Sequence, residues 1–439
     1  MVIAVVFWTI GTGFYRDLSA KNEDVYEELK VFSDVIELIE KEYVDEVETK
    51  ELIQKAIQGM VQSLDPHSSL LPQEAFEDLQ IDTKGKFTGI GIHITMRDGF
   101  VTVISPIEDT PAHKAGIKAR DKIIKVDGKP TKDLREAVNM MRGPKGTPVA
   151  VTILREGVKQ PLEFELVRDV IPIQSVKSIM LKPGYGFIRL SNFTGTTTTE
   201  MEKALRKLES SKDPLKGLVL DLRNNGGGLL NQSLKVTDLF LYEGKILSIK
   251  GRNSKNTKEF NASASSEKRS YPLVVLINAG SASASEIVAG ALQDHKRALI
   301  LGTTSFGKGS VQTVETLRDG SGLKLTIARY YTPNGRSIQA KGIEPDIFLE
   351  HRLLDPAESR SKEDGLLKEK DLENHLEAES NEKQDKEDDG DEENQEKSRR
   401  QEVEFRVGPL KPEMLQTDNQ VMRALELLEG YEIFKNFKS

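Results

Sequence analysis

Between residues 184 and 302 the chain carries three short, almost wholly apolar runs, GLVLDLR, PLVVLIN and ALILG, set among segments of helical periodicity. Runs of that length without polar alternation are strands covered on both faces, and strands that alternate with helices form a mainly parallel sheet. YGFIRLSNF is a further strand, and TTTTEMEKALRKLESS, LLNQSLKVTDLFL and EIVAGALQDH are the helices between. PLVVLIN, a helix over 286–295 and ALILG make a β-α-β unit, whose crossover returns the chain to its starting side. The loops AGSASAS and GTTSFGKGS therefore leave the sheet at one edge, as does NNGGG after GLVLDLR. That is the carboxyl edge, where open α/β sheets bind ligands.

The edge gathers serine hydroxyls, one amine and backbone N–H groups of a glycine-rich turn. These are the parts needed for acyl transfer: nucleophile, base and oxyanion donors. A serine needs a base to take its proton. No Ser-His-Asp set is evident among the six histidines, and the absence of cysteine excludes thiol nucleophiles and thiolate metal sites. Lys308 is then the candidate base, provided that desolvation holds its amine neutral. Residues 302–308 also fit the opening of a phosphate loop, G-x-x-x-x-G-K. Gly309 stands where Ser or Thr is needed, however, and SVQTVETL reads as strand rather than helix. On these grounds Ser281, Ser283 and Ser285 are equivalent. No metal-ligand spacing occurs, and no metal or cofactor is expected.

The rest of the chain divides by pattern. Residues 1–15 are apolar and read as the remnant of a signal or membrane anchor. Residues 22–82 are helical, with Thr49 as a cap; His67 lies in a turn, LDPHSSLL. Residues 86–168 form a compact β-rich module with two short helices and an Asp-Gly hairpin. Residues 169–350 are the α/β core. Residues 355–404 hold 20 acidic and 9 basic residues, so the net charge of −8 belongs to this segment, and no basic stripe suggests nucleic acid. Residues 381–400 contain no apolar residue and are expected to be disordered. A helical segment, 405–439, closes the chain. The fold class is therefore multidomain, α/β with α+β parts.

The stretch NAGSASASEIVAGALQDHKRALILGTTSFGKGSVQ resembles the active-site region of the carboxyl-terminal processing peptidases, or tail-specific proteases. LDPHSSLL, GIGIHI, DLRNNGGGLL and LTIARYYTPNGRSIQAKGIEPDI match as well, so the resemblance spans about residues 25–350 and, more loosely, the last helix. It implies a serine endopeptidase with Ser283 as nucleophile, Lys308 as base and Gln312 orienting the amine. The implied oxyanion donors are Gly227 or Gly228 and the N–H of Ala284. Gly226 departs from the family, which often has proline or another residue there.

The 86–168 module resembles the family's PDZ domain. Gly89, Ile90, Gly91 and Ile92 would bind a chain-terminal carboxylate, with the following strand pairing to the peptide. Arg142 would sense occupancy and gate the site. The implied partners are protein substrates with accessible C-termini, an adaptor protein and a second copy meeting through the helical ends. The implied location is the bacterial periplasm or cell envelope. The competing reading, a PDZ scaffold on an inactive sheet, is disfavoured by the intact set of Ser283, Lys308 and Gln312.

Overall fold

The computed structural model describes residues 25–263, 269–352, 368, 410 and 412–437. The apolar run 1–15 and, apart from residue 368, the acidic segment 355–404 lie outside the described residues. The chain divides into two units, 1–70 and 71–439.

In the first unit, helix 25–42 precedes helix Thr49–Gln62, which is capped by Glu48 rather than by Thr49. Val25, Tyr26, Leu29, Val31, Val35 and Leu38 of the earlier helix are exposed. His67 belongs to a turn tied by Asp65, whose carboxylate accepts from the His67 and Ser68 amides at 2.8 and 3.0 Å and from the Ser68 hydroxyl at 2.7 Å.

The second unit begins with helix Gln73–Lys84. The β-rich module follows, an antiparallel sheet in the order Ile92–Arg97, Phe100–Pro106, Lys122–Val126, Pro148–Leu154, Leu162–Val167. Alternation sets its inner face: Val149, Val151 and Ile153 are buried against Val101, Val103 and Ile123. Helices Pro111–Lys114 and Leu134–Met141 complete the module. Strands Lys86–Gly89 and Asp169–Pro172 pair antiparallel as a separate ribbon at its two ends.

Among the described residues the core sheet has six strands, in the order Val176–Lys182, Tyr185–Leu190, Gly217–Asp221, Leu273–Ile277, Leu299–Gly302, Ile347–Phe348. The first pair is antiparallel and all later neighbours are parallel. Successive side chains on a strand point to opposite faces. Leu218, Leu220 and Val275 face helices Thr197–Glu209, Leu230–Asp238 and Ala284–Asp294, while Val219, Val274 and Leu276 face the last helix, Asn419–Asn436. Both faces are therefore apolar, which is why these strands read as unbroken apolar runs. Beside this sheet lies a second, antiparallel one. It includes Ser310–Thr316, Gly322–Tyr331, Lys245–Gly251 and Lys258–Asn261. Among the described residues no helix is long and apolar enough to cross a membrane.

Candidate active site

Strands Leu273–Ile277 and Leu299–Gly302 are direct neighbours, with Val274 opposite Leu299 and Ile277 opposite Gly302. The serine loop and the lysine loop thus leave the sheet side by side. The three serines are not equivalent. Ser281 and Ser285 are wholly buried, and their hydroxyls donate to the carbonyls of Leu222 and Asn225, each at 2.8 Å. Ser281 also accepts from the Asn278 amide at 3.0 Å. Both act as pins between the serine loop and the NNGGG loop. Ser283 is half-buried, directly precedes helix Ala284–Asp294 and has φ 55° and ψ −111°. Positive φ in a residue other than glycine is strained and is often found at a functional site.

The helix expected over 286–295 begins at Ala284, which places Glu286 in its first turn. Glu286 is fully buried. Its Oε2 accepts from the amides of Ser283 at 2.7 Å and Lys308 at 3.0 Å. Its Oε1 accepts from the Ser305 hydroxyl at 2.6 Å and the Gly307 amide at 2.7 Å. Burial pushes this carboxyl up to about 7, against the opposing pull of those four donors. One carboxylate therefore fixes the backbone of the candidate nucleophile relative to that of the candidate base.

Lys308 is half-buried, and its carbonyl accepts from the Tyr330 hydroxyl. Gly309 is held by Gln339, whose Oε1 accepts from its amide at 2.9 Å. Gln312 lies on strand Ser310–Thr316, where its Nε2 donates to Ser310 Oγ at 2.9 Å and Thr326 Oγ1 at 3.3 Å.

The NNGGG loop closes over the same point. Gly227 has φ 101°, and a Cβ there would stand 2.8 Å from the Ala282 carbonyl oxygen and 2.9 Å from Ser283 Cβ. Only glycine permits this approach. Its amide donates to Asn225 Oδ1 at 2.9 Å. Gly228 lies against Phe193 in a bridge. Gly226 is different: its φ is not positive and a Cβ would meet nothing within 4 Å. The position that departs from the family is thus the one where a side chain is sterically free. Ala284, as the first helical residue, has an amide that the helix itself does not use.

Arg189, Asp221, Arg223 and Asp418 form a buried network behind the loop. Asp221 receives Arg189 at 2.7 Å and Arg223 at 2.9 Å. Burial alone would raise the Asp221 carboxyl, but the Arg223 and Arg189 guanidiniums overcome it and bring it to about 2. Asp418 is likewise held well below the usual carboxylate range, burial being outweighed chiefly by Arg223. Glu286, Asp221, Arg223 and Asp418 were not singled out from the sequence. For Glu286 a signal was present: Ser283 followed three residues later by Glu is a capping-box pattern.

In the β-rich module, Gly91 has φ 82° and a Cβ there would collide with Thr110 at 2.3 Å. The Ile90 carbonyl accepts from the Ala112 amide at 2.9 Å, and the Gly91 carbonyl from the Ile107 amide and the Thr110 hydroxyl, each at 3.0 Å. Gly89 ends the ribbon strand, and Ile92 opens the end strand of the sheet, Ile92–Arg97. The outer side of that strand has no partner strand among the described residues. Half-buried Ile92, Ile94, Leu134 and Met140 lie around the module's core. Arg142 ends helix Leu134–Met141; its Nη1 donates to Asp78 at 2.7 Å, and its guanidinium sits 5.7 Å from the centre of the Phe87 ring. These contacts tie it to helix Gln73–Lys84 in a cleft of about 590 Å³, lined also by Glu74, Arg135 and Asn139.

Comparison with known proteins bears on this geometry. Residues 184–349 match the model of peptidase family S41, residues 88–178 that of the PDZ domain, and residues 13–75 that of the activating protease CtpB N-terminal domain. A carboxy-terminal-processing protease of Bartonella bacilliformis is 45% identical over 388 residues, covering 86% of this chain and 88% of that protein. The carboxy-terminal processing protease CtpA of Bacillus subtilis is 40% identical, over 72% of this chain and 67% of its own. Among solved structures, a photosystem II D1 C-terminal processing protease is 33% identical, covers 73% of this chain and 92% of that chain, and has a TM-score of 0.43.

Proposed function

The chain belongs to the carboxy-terminal processing proteases of peptidase family S41, serine proteases that carry a PDZ domain, and from that premise we propose how it selects and cuts its substrate. Ser283 attacks the scissile carbonyl while the neutral amine of Lys308 takes its hydroxyl proton. Of the two expected glycines, Gly227 has its amide engaged by Asn225 Oδ1, so the oxyanion is received by the Ala284 amide and by that of Gly228, a type of interaction worth about 3–4 kcal/mol per donor. The Lys308 ammonium then returns a proton to the leaving amine, and water hydrolyses the acyl-enzyme at Ser283. Gln312 steadies the lysine amine. The observation that carries this reading is the shared use of Glu286 by the Ser283 and Lys308 backbones, with Ser281 and Ser285 buried and engaged elsewhere.

Substrate choice falls to the PDZ domain. A chain terminus is captured by the loop Gly89–Ile92 and extends along the open side of strand Ile92–Arg97 by β-augmentation. The inward use of the Ile90 and Gly91 carbonyls supports this, since it directs the acceptor groups of the loop away from a carboxylate. We place the enzyme at the cell envelope, with self-association through the exposed apolar side chains of helix 25–42 and with an adaptor protein as a further partner.

An unfolded model protein, prepared with a free or an amidated C-terminus, tests the reading. Wild type should cleave the free form faster, with a rate that rises with pH as Lys308 loses its proton, and Ser283→Ala should cleave neither. Equal cleavage of the two forms would refute capture of the carboxylate, and cleavage by Ser283→Ala would refute the nucleophile.

A further inference from the structure

We propose that Asp418, at the start of the last helix, is a positioning residue for the oxyanion loop and acts through Arg223. The inference rests on the reading of Ser283 and its neighbouring amides given above.

All five donor positions of the Arg223 guanidinium are taken. Nε and Nη2 donate to Asp221 at 2.9 Å each. Nη2 and Nη1 donate to Asp418 at 2.8 and 3.2 Å, and Nη1 also to Gln420 Oε1 at 2.7 Å. Arg223 is 7% exposed, Asp221 1% and Asp418 2%. Charge explains why the last helix is needed. Asp221 already serves Arg189, through Nε and Nη2 at 3.0 and 2.7 Å. Two guanidiniums on one carboxylate leave a buried positive charge, and Asp418 supplies the second carboxylate. Removing one partner of a buried pair is costly because the remaining charge is left uncompensated.

The position of Arg223 gives that charge a catalytic consequence. Asn224 and Asn225 follow it directly. The Asn224 amide donates to Asn278 Oδ1 at 2.8 Å, and the Asn278 Nδ2 returns a bond to Asn224 Oδ1 at 2.8 Å. The Asn225 carbonyl accepts from the Ala282 amide at 3.0 Å and the Ser285 hydroxyl at 2.8 Å, flanking Ser283 on both sides. The Asn225 side chain holds the Gly227 amide at 2.9 Å. A shift of Arg223 therefore moves the glycines against the nucleophile. Asp418 also caps its own helix, with Oδ1 accepting from the Gln420 and Val421 amides at 3.0 and 3.1 Å. Docking of that helix and alignment of the oxyanion loop are thus joined in one carboxylate.

Asp418→Asn keeps an acceptor for the helix cap and removes the charge. It should lower kcat about ten- to a hundredfold, the scale of a small misplacement of reacting groups, with KM within about twofold. Affinity for a peptide boronate, which forms a tetrahedral adduct, should fall in parallel with kcat/KM, while substrate peptide bound in a Ser283→Ala background should be unaffected. Leu428→Ala is the control. Leu428 packs from the same helix onto Gly217, at the opposite end of strand Gly217–Asp221 from the network, so this variant should lower Tm and keep wild-type kcat at temperatures where it is folded. A folded Asp418→Asn with wild-type kcat would overturn the inference, as would a kcat loss in Leu428→Ala as large as in Asp418→Asn. Should Asp418→Asn not fold, Gln420→Met decides: a kcat reduced by about threefold or more supports the coupling, and an unchanged kcat overturns it. If wild type itself fails to cleave, the protease reading fails; if wild type and Asp418→Asn cleave equally, only the coupling does.

Discussion

The amides of Ser283 and Lys308 meet on one oxygen, Oε2 of Glu286, at 2.7 and 3.0 Å. Glu286→Gln leaves a single acceptor oxygen and turns an NH₂ group toward N–H donors. It should lower kcat by about ten- to a hundredfold while the protein stays folded. The same variant tests the carboxyl itself. Burial raises its pKa from the ordinary 4.5 to about 7, so its contribution to folding is complete below 4.5 and is lost as pH rises through 7. Wild type should therefore lose on the order of 3 kcal/mol of stability from this group across that window. Denaturant titrations against pH should show that slope in wild type and not in Glu286→Gln; equal slopes would refute the assignment.

The glycines of the NNGGG loop should divide by position. Gly226→Ala is expected to keep nearly full activity, because its Cβ meets nothing within 4 Å. Gly227→Ala drives a methyl group against the Ala282 carbonyl and Ser283 and should abolish turnover. Similar activities for the two variants, assayed side by side, would contradict the structure of the loop.

Ser283 should carry strain that catalysis requires. Its positive φ costs about 1–3 kcal/mol, against about 0.5–1 kcal/mol for the added freedom of an unfolded glycine. Ser283→Gly is thus expected to melt higher than wild type and to be inactive. Ser281→Ala should do the reverse, losing about 1–3 kcal/mol from its buried bonds while keeping the nucleophile. Calorimetry with an activity assay separates the two.

Arg142 and Asp78 are partly exposed, at 30% and 44%, so their ion pair adds no more than about 1 kcal/mol to stability. If the pair transmits PDZ occupancy, Arg142→Ala and Asp78→Asn should each change the ratio of cleavage of free and amidated substrates, and the double variant should add nothing further. An unchanged ratio in both removes Arg142 as a gate.

The legibility of this site in the sequence follows the range of its interactions. Strands Gly217–Asp221, Leu273–Ile277 and Leu299–Gly302 were readable because cover on both faces leaves Asp221, at the end of the first, as the one polar residue in them. The three edge loops followed from topology alone. The choice of Ser283 did not: it depends on carbonyls of Leu222 and Asn225, some sixty residues earlier, that engage the other two serines. Glu286 was hidden by placing the helix start two residues late, which made it an ordinary helical acid. The antiparallel sheet behind Lys308 pairs Gly322–Tyr331 with Lys245–Gly251, a register that no local pattern encodes. The Arg223–Asp418 contact joins residues 195 positions apart, across a segment of different composition.

The most direct measurement is a double-mutant cycle on Ser283 and Lys308, scored as kcat on an unfolded protein substrate with folding verified for each variant. Two residues acting as one unit lose their function together. Ser283→Ala, Lys308→Met and the double variant should then be equally inactive. A Lys308→Met enzyme that retains turnover near wild type, or a double variant far below either single one, would contradict a shared Ser-Lys site.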